Sequence, residues 1–241
     1  MNKGLLLLVG LLVLSLPTVS LGADYARFQQ DSVEAYGFYK KALSLTSKPD
    51  TQDKSIATME RFQASWKVLA DKYKQDVPEP FAALPNYAEL IERPLAIGQQ
   101  VLAELKEGKI KVAHATLEEI RYLLWNMRTQ AGLVTLNDKI NDFHEVMEIV
   151  LDKMHADKGA ENVRKVAKRY GPWMEIKWEE LAVAEVFSAD RAVFETALKD
   201  GRSAISSLRN LMLNGDVKAA QGAGKKVKKA YKAVFFLDSV S

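Results

Sequence analysis

Three histidines, His114, His144 and His155, fall in two consecutive helical segments. Glu118 follows His114 by four residues, and Glu148 follows His144 by four. On a helix, residues four apart lie on one face, a turn from each other. Imidazole with carboxylate suits Zn, Fe, Cu or Ni. Two assemblies can be drawn from these residues. One is a metal quartet of His114, Glu118, Glu148 and His155, with a transition metal ion as its cofactor. The other is an ion-pair network of Glu118, Arg121, His144 and Glu148. Register weighs between them. If residues 109–130 and 136–155 form an antiparallel pair turning near Gly132-Leu133, Arg128 comes level with Asn137, Arg121 with His144, and His114 with Leu151. His114 and His144 are then two turns apart, roughly 10 Å at 1.5 Å per residue, and cannot ligate one ion together. The network is the favoured expectation, and the metal quartet is the alternative.

Met127, Met147 and Met154 share this hairpin with the histidines. Met with His can ligate non-covalent haem, which gives a second alternative, a haem redox carrier. These methionines sit on the apolar stripes, where filling space is the plainer role. Leu123-Leu124-Trp125 follows a His and a Glu and is similar to a segment of imelysin-type iron-linked periplasmic proteins. The spacing departs from that pattern. Trp125 comes eleven residues after His114 and the carboxylate four residues after it rather than three, so the family is not assigned. No Gly-x-Ser-x-Gly elbow, phosphate loop, His-Glu-x-x-His or dinucleotide fingerprint occurs. The expected role is therefore binding or interaction, not catalysis.

Two further stretches carry candidate surfaces. Lys218, Lys225, Lys226, Lys228, Lys229 and Lys232 make the last helical segment basic. Outside the cytoplasm this points to an anionic surface or an acidic partner protein, not to nucleic acid, and its plain reading is a solvated helix face. Trp173, Trp178 and Phe187 form an aromatic-rich stretch, expected to seal a junction between sub-bundles rather than line a cleft.

The elements that must position these groups are helical throughout. Apolar residues recur at spacings of three and four, and no alternating run is flanked by hairpin turns. The fold expected is all-α, an antiparallel bundle of about eight helices. Helices are read at 24–45, 52–74, 95–106, 109–130, 136–155, 160–170, 188–213 and 217–237. Prolines 78, 80, 85 and 94 are expected to keep 76–94 irregular, with one short helix at 87–91. Gly171-Pro172 is expected to stop the sixth helix, and Thr135 with Asp138 reads as a capping box. Residues 98–127 can be laid on 205–234 without gaps, Gly108 meeting Gly215 and Ile120 meeting Val227. This suggests repeated helical hairpins, and a division into bundles at 23–156 and 157–241.

The N-terminus sets the expected compartment. Lys3 precedes an apolar run, Gly4 to Leu16, too short for the roughly 20 residues of a bilayer span. Pro17 closes it, and Ser20-Leu21-Gly22-Ala23 offers small residues for cleavage. Residues 1–22 read as a signal peptide, and the protein is expected in the periplasm or outside the cell after cleavage near Gly22. No transmembrane helix is expected in the mature chain. Loss of Lys3 takes the formal charge from +3 to about +2, which favours no partner class. The chain has no Cys, which excludes disulfides, thiolate zinc sites, iron–sulfur clusters and covalently attached haem.

Overall fold

The computed structural model describes residues 21–184 and 190–237. Eight α-helices account for nearly all of them: α1 (Leu21–Thr46), α2 (Gln52–Tyr73), α3 (Tyr87–Lys106), α4 (Ile110–Gln130), α5 (Leu136–Ala156), α6 (Ala160–Glu179), α7 (Arg191–Asn214) and α8 (Val217–Phe235). Short 3-10 turns lie at Glu79–Phe81 and Glu180–Val183, and there is no strand among the described residues. The protein is an all-α bundle. The expected leader lies outside the described residues, apart from Leu21 and Gly22, which open α1. Among the described residues no helix is long and apolar enough to cross a membrane.

Each helix packs chiefly against its sequence neighbours, and α1 closes on α4 as α5 closes on α8. The result is two four-helix units, α1–α4 and α5–α8. The division drawn at 156 in the sequence falls at the end of α5, inside the second unit. The two units share one hydrophobic core.

Two helices differ from the sequence expectation, both at prolines. α3 starts at Tyr87 and runs through Pro94, and α6 continues through Pro172 to Glu179. A proline inside a helix costs about 3 kcal/mol because it removes one bond and crowds the preceding turn. Burial offsets it here. Tyr87, Ile91, Pro94, Ile97, Val101 and Leu105 make one buried stripe across the α3 proline, and Val163, Val166, Ala167, Met174 and Trp178 make one across Pro172. In α3 the Trp66 indole also donates to the Ile91 carbonyl at 2.8 Å, beside the position where the proline interrupts the ladder.

The hairpin repeat has a structural counterpart. Trp178 donates to the Leu198 carbonyl at 2.9 Å, as Trp66 does to Ile91, and the gapless overlay of 98–127 on 205–234, extended back, sets Ile91 on Leu198. The aligned turn glycines Gly108 and Gly215 both adopt left-handed backbone, φ 76° and 77°, where a side chain is strained. Trp178 is buried against Phe143, 4.7 Å between ring centres, so it seals the second unit. Trp173 on the same helix is exposed, and Phe187 lies outside the described residues.

Candidate functional site

The sequence suggested α4 and α5 as a close antiparallel pair, but their apolar stripes are taken by other helices. α4 packs on α3 and α1, and α5 packs on α6 and α8. Long polar side chains bridge α4 and α5 instead. Near the turn, Arg128 grips Asp138 through Nε and Nη2, at 2.9 and 2.6 Å from Oδ1. Asp138 also accepts from the Thr135 backbone and hydroxyl, both at 2.8 Å, completing the capping box that starts α5. This buried knot fixes where α5 leaves the turn, and so the register of everything further along.

Two turns further from the loop, Arg121 is the centre. Its side chain is 4 % exposed. Nη2 sits 2.5 Å from Glu118 Oε2 and 3.3 Å from Glu145 Oε1, while Nη1 donates to His144 Nδ1 at 2.7 Å. Guanidinium has only donors, so Nδ1 must be an acceptor and the neutral ring carries its proton on Nε2. That nitrogen faces Glu148 Oε1 at 3.7 Å. Burial first, then the charges of Arg121 and Lys228, push the His144 pKa down to about 3. His144 is a neutral ring locked in one tautomer.

His114 stands at the other end of the same group. Its Nδ1 is 2.8 Å from Thr46 Oγ1 in α1, and Thr46 itself donates to the Ala42 carbonyl at 2.9 Å. On the other side of the ring, Nε2 faces Glu118 Oε1 at 3.7 Å. Burial, then Arg121, lower the His114 pKa; burial is also the main reason the Glu118 pKa is raised, with Arg121 acting against it.

These groups wall a cleft of about 440 Å³ between α1, α4, α5 and α8, the four helices where the two units meet. His114, Glu118 and Arg121 come from α4, and His144 and Glu148 from α5. From α8 come Lys228, bonded to Glu148 at 3.0 Å, and Lys232. The remaining wall is apolar: Leu43, Met147, Tyr231 and Phe235 are buried, and Phe236 at the rim is 46 % exposed. The Tyr39 hydroxyl and Arg121 Nε are buried with no hydrogen-bond partner among the described residues.

The structure thus brings Glu118, Arg121, His144 and Glu148 together. It does not assemble the quartet of His114, Glu118, Glu148 and His155. His155 is exposed and outside the cleft, because it lies two turns of α5 beyond Glu148. Among the described residues no group of three or more His, Asp or Glu side chains is placed to hold a metal ion. A physical reason is visible: the Arg121 guanidinium stands where a cation would have to stand, and it occupies His144 Nδ1. Of the three methionines, only Met147 lines the cleft. Of the α8 lysines, Lys218, Lys225, Lys226 and Lys229 face solvent, whereas Lys228 and Lys232 turn to the cleft.

Sequence reasoning missed the α1 and α8 walls. The i, i+4 pairs marked α4 and α5, but no local pattern brings Leu43, Ser44, Tyr231 or Phe235 beside them. The chain matches no protein-family profile, no curated protein and no solved structure.

Proposed function

We propose that this protein acts by binding rather than by catalysis, and that a small ligand occupies the cleft between α1, α4, α5 and α8. The observation that carries this reading is the cleft itself. It joins a charged wall to an apolar wall, at a place where two packed units meet and a concave site is expected. The His144 side of the polar wall supports holding over reacting. His144 offers no free ring nitrogen for proton abstraction, since Arg121 caps Nδ1 and Nε2 bears the proton. The apolar leader supports action in the periplasm or outside the cell.

A ligand bound to the folded state raises the unfolding temperature by mass action. The test is a thermal-unfolding panel of small acids, amines, alcohols and sugars, run on the natural protein and on Ser44→Trp, which places an indole in the cleft. At least one compound class should raise the Tm of the natural protein and not that of the variant. Shifts that are identical in the two proteins would sink the proposal.

A further inference from the structure

The charges lining the cleft pair off unevenly. Arg121 is matched by Glu118 at 2.5 Å and Lys228 by Glu148 at 3.0 Å. Lys232 lines the same cleft with no carboxylate of the described residues within ion-pair distance. Partial burial first, then Lys48 and Lys228, push its pKa down, and Glu148, already bonded to Lys228, acts the other way without reversing them. One ammonium is thus left over in a cleft that Ser44 and Ser47 also line. Beside it on the same helix Tyr231 and Phe235 present apolar surface to the cleft, and Phe236 stands half exposed, with Phe235 as its ring partner among the described residues.

Resting on the cleft reading above, we infer that the ligand is an amphipathic monoanion: a carboxylate with a short alkyl or aryl tail. The head group sits at Lys232, supplying the missing countercharge, and the tail lies against Tyr231, Phe235 and Phe236. A cationic amphiphile would meet Lys232 and Lys228 with the wrong sign. A neutral one would gain the apolar wall and leave Lys232 unmatched. Arg121 does not hold the head group, because His144, Glu118 and Glu145 already take its Nη atoms.

The experiment is calorimetric titration of the full chain with octanoate, octylammonium and octan-1-ol. Octanoate should bind with one site per chain and at least tenfold tighter than octylammonium. A hydrogen bond to a charged group contributes about 1.5 kcal/mol or more, so Lys232→Gln should weaken octanoate about tenfold. The same substitution should leave octan-1-ol nearly unchanged. Lys232 is at the surface, so the variant tests charge without threatening the fold. Octylammonium or octan-1-ol binding as tightly as octanoate would overturn the anion assignment, while loss of that binding in Ser44→Trp would keep the cleft as the site. Octanoate affinity unmoved by Lys232→Gln would also overturn the assignment. Failure of all three compounds to bind would overturn it too, and the cleft reading would then be decided by the wider panel.

Discussion

Replacing His144 by Gln should remove a large part of the protein's acid sensitivity. In the folded state the His144 pKa lies at about 3, against 6.5 for the free side chain. As pH falls below 6.5 the unfolded chain takes up a proton that the folded chain refuses. The stability from a neutral His144 is therefore fully present above 6.5 and is lost as pH falls toward 3. Each pKa unit is worth about 1.4 kcal/mol, so between pH 7 and pH 4 the loss is about 3 kcal/mol. A Gln side chain still offers Arg121 an acceptor but does not titrate. Urea unfolding followed by circular dichroism at pH 7, 5.5 and 4 gives the difference in stability between the two proteins. That difference should move by about 3 kcal/mol in favour of His144→Gln on going to pH 4. Other titrating groups largely cancel because both proteins carry them. Two stability curves that run parallel across this range would refute the argument that Arg121 and burial hold His144 neutral.

Arg121→Met should cost about 3 kcal/mol, since it leaves the largely buried Glu118 carboxylate in the cleft wall without its guanidinium. Adding Glu118→Gln should recover part of that loss, and equal losses in the single and double variants, by urea unfolding, would contradict the pairing. Gly201→Ala should destabilise by about 2 kcal/mol, because its Cβ would overlap the buried Trp178 ring. Gly98→Ala should cost about half as much, because the group in its way is the end of the flexible Gln63 side chain. Thermal unfolding that ranked these two glycines in the reverse order would count against the packing described. Thr135→Ala should cost about 1–2 kcal/mol by removing the α5 cap and one partner of Asp138.

The helices were legible because their signals are local. Thr135 and Asp138 cap α5 as their spacing requires, and the turn glycines Gly108, Gly132 and Gly215 all adopt left-handed backbone. The two proline positions misled for a local reason as well. A proline interrupts one backbone bond, but whether the helix goes on depends on what its apolar stripe meets, and the partners, Trp66 for α3 and Phe143 for α6, lie elsewhere in the sequence. The site was legible only in its α4 and α5 half. The register that sets Arg121 against His144 follows from counting residues back from the turn. The cleft itself arises because α4 and α5 are held apart by their own partners, and α1 and α8 then supply the opposite wall. Lys232 shows the consequence. In the sequence it is one lysine of six on a basic helix, and only the fold places it, with Lys228, in the lining of the cleft.

The central claim is that the cleft between the two units binds a ligand. The most direct measurement is an NMR search for intermolecular NOEs between octanoate chain protons and the aromatic side chains of the isotopically labelled protein. The account predicts contacts to Tyr231, Phe235 and Phe236, and their loss in Ser44→Trp. Contacts to the exposed Trp173 face instead, or contacts that survive Ser44→Trp, would contradict it.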